Sequence, residues 1–159
     1  MRKDSRGFSL IELLIVVAII LIIAAIAIPN LLRSRIAANQ ASAVGSLRTI
    51  NTAEITYAST YNAGYSSTLQ DLAPPGSGQP TSTAAGLIDS VLAGGVKSGY
   101  SFTYTPGSVV GGRIDTYELN ANPVTVGTTG TNFYFTDHSG VIRQNSSATA
   151  SASDSPLAG

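Results

Sequence analysis

Gly7-Phe8-Ser9-Leu10-Ile11-Glu12 leads directly into sixteen uninterrupted apolar residues, 13–28. At ~1.5 Å rise per residue, a helix over 8–28 spans roughly 30 Å, the thickness of a bilayer's apolar core. The segment is therefore read as able to cross a membrane. Glu12 is its one charged side chain. A carboxylate inside a transmembrane helix costs about 2.5 kcal/mol or more on insertion scales and is rare unless paired. The pattern asks for a partner cation.

Working outward, Met1-Arg2-Lys3-Asp4-Ser5-Arg6 forms a basic leader before Gly7. A secretory signal peptide also has a basic start, but its apolar stretch is usually only about 7–15 residues and is followed by a small-x-small cleavage site. Here Pro29-Asn30-Leu31-Leu32-Arg33 follows instead. A basic leader ending in glycine, then Phe-Ser-Leu-Ile-Glu, then an apolar helix, resembles the class III leader of type IV pilins and pseudopilins. The resemblance covers about the first fifty residues strongly.

That resemblance implies removal of residues 1–7 by a membrane-embedded prepilin peptidase, cutting between Gly7 and Phe8, and N-methylation of Phe8 by the same enzyme. It implies a subunit held as a single-pass protein of the inner membrane. An assembly platform with its ATPase would then add the subunit to a helical polymer of itself and other pilins, either an extracellular pilus or a periplasmic pseudopilus of type II secretion. Glu12 would pair with the freed Phe8 amine of a neighbouring subunit, or, more locally, favour its own helix N-terminus or pair with its own Phe8 amine one turn away.

Composition narrows the remaining possibilities. Of 159 residues only 11% are charged and the formal net charge is zero, which provides no electrostatic footprint for nucleic acid. Removing Arg2, Lys3, Arg6 and Asp4 from nine basic and nine acidic residues leaves six and eight, a mildly acidic product. There is no cysteine, so the disulfide that closes the C-terminal loop of many type IV pilins has no counterpart here. With about fifty residues in a helix, one small head domain remains.

Pro29 lacks an amide hydrogen and clashes with the Ala25 carbonyl, so a kink or break is expected there, with helix resuming over 29–61. Ile36, Val44, Leu47, Ile50, Ala58 and Tyr61 recur near a helical period, with Arg48 and Glu54 read as polar-face residues. Residues 62–144 form the head. Within it, 62–80 reads as loop anchored by Leu69 and Leu72, and 84–95 as a short helix with Leu87, Ile88, Val91 and Leu92 on one face. Alternation then marks strands at 100–104 and 117–121, and a further pair flanks the turn Asp137-His138-Ser139-Gly140. Residues 145–159, rich in Ser and Ala, read as a flexible tail whose hydroxyls are a possible place for glycans. The expected fold is α+β: a long N-terminal helix packed on a small antiparallel sheet of three or four strands.

No catalytic set emerges. Asp137, His138 and Ser139 have the letters of a hydrolase triad, but neighbours in one turn do not converge as triad members must. Residues 107–112 are glycine-rich without the Lys-Ser/Thr of a phosphate loop. Asp115, Glu118 and Asp137 are the acidic candidates for calcium, which related pseudopilins bind, yet their spacing matches no EF-hand, and no metal or cofactor is expected. Aromatic residues are absent between Phe8 and Tyr57, so the apolar helix carries no aromatic ladder. A single-span anchored binding domain is the reading from a different class, distinguished by retention of residues 1–7.

Overall fold

Residues 7–157 are described by a computed structural model, in which two compact units divide between Arg35 and Ile36. Most of the leader and the last two residues lie outside the described range.

In the first unit the chain enters helix α1 (Leu10–Tyr61) through Ser9. The Leu13 amide donates to the Ser9 carbonyl at 3.2 Å, and the Glu12 carboxylate accepts the Ser9 amide at 2.9 Å. Ser9 is thus the N-cap, and Glu12, three residues on, closes one half of a capping box. The helix continues through Pro29. Of the two outcomes expected there, a break in helical structure is absent; the proline leaves the Ala25 carbonyl without its i+4 partner while the flanking turns keep theirs.

In the second unit, residues 36–61 of α1 bury Ala43, Leu47, Ile50, Ala53 and Tyr57, spaced three or four apart as one helical face requires. They share a core with Tyr100, Phe102, Tyr117, Leu119, Ala121 and Tyr134 from an antiparallel sheet. That sheet has five strands in the order β1 (Val96–Lys97), β2 (Tyr100–Pro106), β5 (Tyr117–Pro123), β6 (Phe133–Asp137) and β7 (Arg143–Asn145). A separate two-stranded ribbon pairs β3 (Val109–Val110) with β4 (Arg113–Ile114). The additional strands are two- and three-residue edges, too short to show a period in sequence. β2 and β5 pair from Tyr100 opposite Pro123 to Pro106 opposite Tyr117, which aligns their inward residues on one face.

Two elements depart from the sequence reading. The helix anticipated over 84–95 is confined to α2 (Ser90–Ala93), capped by Asp89, whose carboxylate accepts the Leu92 amide at 2.9 Å. Residues 85–88 instead run beside 71–73, with the Ala85 amide on the Asp71 carbonyl at 2.8 Å and the Leu87 amide on the Leu72 carbonyl at 2.9 Å. Val91, expected on the apolar face, is exposed. Backbone pairing with the preceding loop outcompetes a helix too short to nucleate alone.

The flexible tail is the second departure. Phe135 lies on the sheet face opposite the helix-facing residues, yet is only 3% exposed. Its cross-strand partner Asn120 donates to the Ala150 carbonyl at 2.8 Å, which brings the C-terminal segment over that face. Gln144 donates its amide to the Ser155 carbonyl and Leu157 to the Ile142 carbonyl, at 3.1 and 2.8 Å. Asp154 accepts from Asn145 Nδ2 at 2.8 Å and from the Ser151 amide at 2.7 Å. A segment poor in apolar bulk is held here by hydrogen bonds, by the buried Ala150 and by Leu157, which packs half-buried against the core.

Asn51 joins helix to sheet. Its Nδ2 donates to Thr136 Oγ1 at 3.0 Å, and its Oδ1 accepts the Tyr117 hydroxyl at 2.9 Å, all three residues being buried. An Asn51→Leu variant would strand two buried hydroxyls, at a cost of about 1–3 kcal/mol each. Thermal denaturation of the detergent-solubilised protein should show a lower Tm; an unchanged Tm would deny Asn51 this role.

Candidate assembly segment and polar anchors of the head

Every large apolar side chain from Phe8 to Leu32 is exposed, from 41% at Leu32 to 77% at Leu10. The apolar part of α1 is long enough to cross a membrane, and none of it is buried. Surface of this extent is not left facing water; it needs lipid or packed neighbouring helices. Glu12 lies at the start of this stretch, with its carboxylate on the Ser9 amide of its own chain. With Gly7 still attached, the Phe8 nitrogen is a neutral amide. Only cleavage after Gly7 would create an α-ammonium group at Phe8.

The family model described as the prokaryotic N-terminal methylation motif matches residues 2–28. The amino-terminal segment thus carries that motif. A type IV major pilin protein PilA from Myxococcus xanthus is 52% identical over 50 residues, which is 31% of this chain and 23% of that protein. A type IV wide pilus major component, PilA4 of Thermus thermophilus, is 62% identical over 37 residues, 23% of this chain and 28% of that one. The pilin likeness thus spans about a quarter of each relative's length. No solved structure matches the chain significantly.

The remaining sequence candidates lie in the head. Asp115 is engaged with Arg113, whose Nε lies 3.3 Å from its carboxylate. Glu118 and Asp137 are direct cross-strand partners and border one cleft with His138. Like charges in that position repel rather than support each other. Among the described residues no three His, Cys, Asp or Glu side chains converge as a metal site would require. Asp137 accepts the Ser139 amide at 2.9 Å, and the Ser139 hydroxyl accepts the Val141 amide at 3.3 Å. The three letters of the apparent triad therefore build a turn in which the serine hydroxyl faces backbone.

Glu54 is the residue the sequence reading misplaced. Assigned to the polar face, it is fully buried in the head, with 0% exposure. Its Oε2 accepts the Ser66 amide at 2.9 Å and its Oε1 the Ser66 hydroxyl at 2.5 Å. Tyr104 stands beside the pair, its hydroxyl donating to the Ser66 carbonyl at 2.9 Å. Burial raises the Glu54 carboxyl above its ordinary range, against the lowering effect of the two Ser66 bonds. A signal for this was present: Leu47, Ile50, Glu54 and Tyr57 follow a three-four-three spacing, the pattern of an inward face.

Proposed function

We propose that this chain is a type IV pilin, a structural subunit that polymerises through its N-terminal helix into a surface fibre. The observation that carries the reading is the exposed apolar segment that starts at Phe8, with Glu12 as the one charged side chain between Phe8 and Arg33, most of it inside the matched methylation motif of residues 2–28. In this reading the leader is cut between Gly7 and Phe8 by a prepilin peptidase, Phe8 is N-methylated, and the subunit waits in the inner membrane as a single-pass protein. The assembly platform and its ATPase then draw it into the polymer. Packing of apolar helices from many copies replaces lipid contact, and Glu12 of one subunit takes the Phe8 ammonium of another.

Two relatives described as a type IV major pilin and a major pilus component support the pilin reading, with a pseudopilin of type II secretion as the alternative. The chain's role is structural, and no catalytic step is assigned to it. Intact-mass measurement of protein purified from the native membrane tests the processing: loss of residues 1–7 plus one methyl group is the expected result. Retention of the leader would overturn the pilin reading in favour of a simple membrane anchor. Immunogold microscopy against the head should decorate surface fibres along their length; label confined to the envelope would point to the pseudopilus.

A further inference from the structure

Glu54 has no place in the assembly mechanism, yet it is the one fully buried carboxylate among the described residues. Neither ion pair among those residues involves it. An ionised carboxylate with no cation relies on hydrogen-bond donors; the Ser66 amide and hydroxyl are the main ones at Glu54, and the Tyr104 hydroxyl adds a smaller lowering contribution, which burial outweighs. The groups facing it from neighbouring elements offer no positive charge. Tyr104 of β2 and Tyr117 of β5 are pushed upward by burial and stay neutral, as does Tyr57 on α1 itself. Asp71, in the 3₁₀ helix Leu69–Leu72, adds a second negative charge that raises Glu54 further.

What Ser66 anchors extends well beyond one side chain. Immediately before it, the Tyr65 amide donates to the Ile114 carbonyl at 2.7 Å, and the Ile114 amide donates to the Ala63 carbonyl at 3.2 Å. Arg113 Nη1 donates to the Asn62 carbonyl at 3.2 Å. Gly64, at φ 77°, lies so close to Ile114 that a Cβ would run into its carbonyl. The β3–β4 ribbon, whose tip displays Val109 and Val110 at 66% and 70% exposure, is therefore fastened to the segment that ends at Ser66.

We propose that Glu54 and Ser66 form a proton-operated latch holding residues 62–66, and through them the β3–β4 ribbon, against α1. With Glu54 protonated the corner is closed and neutral. Opening admits water to the carboxyl and releases its proton, so opening and ionisation are one linked equilibrium. The sign follows: a carboxyl raised in the closed state favours closure at acid pH, and that preference fades as pH rises through its closed-state value. The latch lets ambient pH set how firmly this surface ribbon is presented, whatever the head binds.

The test is amide hydrogen exchange on the full-length protein in detergent micelles, corrected for intrinsic exchange rates. Protection at Tyr65 and Ile114 should fall by up to ~tenfold per pH unit from about pH 4.5 to the closed-state value of Glu54, then level off, while Leu119 in central β5 does not change. A Glu54→Gln variant keeps the shape and one acceptor oxygen and should make the profile flat. Protection that ignores pH in the wild type, or an equal response in the variant, would overturn the latch. Should that variant not fold, the carbon-13 shift of the wild-type Glu54 carboxyl serves instead. Its midpoint must lie above 4.5 and end the fall in protection, and a midpoint elsewhere counts against the proposal.

Discussion

Replacing Glu12 by Val is expected to leave leader removal and membrane insertion intact while cutting incorporation into fibres by about 100-fold or more. The size follows from the pairing proposed for assembly, since removing one partner of a buried ion pair costs about 3–5 kcal/mol and each 1.4 kcal/mol is tenfold in an equilibrium. The capping bond from Ser9 to Glu12 sharpens the test, because it offers a second role for the same carboxylate. Glutamine at the third helical position also serves a capping box but carries no charge. Glu12→Gln should therefore fail like the valine variant if charge pairing is what matters. If it assembles like the wild type, Glu12 acts on its own helix and the intermolecular role falls. Sheared-fibre yield, measured against total membrane-bound subunit, reads both outcomes.

A Leu47→Ala substitution should destabilise the head by about 2–5 kcal/mol, the range for truncating a large apolar side chain in a well-packed core. Leu47 is fully buried and lies in the one cluster that joins α1 to Tyr100, Leu119 and Tyr134, so its removal leaves a cavity on the seam between helix and sheet. For a domain of this size the lower end corresponds to a fall in Tm of roughly 8 °C. Val91→Ala, at a site 59% exposed, is the control and should change stability by less than about 0.5 kcal/mol. Calorimetry of the detergent-solubilised protein distinguishes the two. A Leu47 variant no less stable than the Val91 variant would mean the helix–sheet seam is not where the head gains its stability.

The long elements of the head were legible because each carries its own period. Tyr117, Leu119 and Ala121 alternate with polar neighbours and all three face the core. The Asp137–Gly140 turn was equally readable, and Gly140 adopts the positive φ of 74° that such a turn calls for. Short elements were not. Two residues of β1 have no measurable alternation, and the anticipated helix over 84–95 gave way to backbone pairing with residues 71–73. The candidate site divides the same way: Phe8 and Glu12 stand out in sequence because hydrocarbon surrounds them, whereas Glu54 sits among threonines and alanines that make a charge unremarkable.

From the sequence by itself come the membrane-length apolar helix, the motif at Gly7-Phe8, the single carboxylate at Glu12 and the α+β order of the head. All of these rest on local quantities, namely run length, spacing and side-chain type within a few residues. Only the tertiary structure decided that Glu54 is buried on Ser66, that Asn51 ties α1 to Thr136 and Tyr117, and that the Ser-rich C-terminal segment covers Phe135. The bonds from Asn51 and Asn120 join residues between 30 and 89 positions apart. Polar side chains declare their partners only when the fold brings those partners within about 3 Å, so hydrophobic pattern predicts where the chain packs but not which polar groups it will enclose.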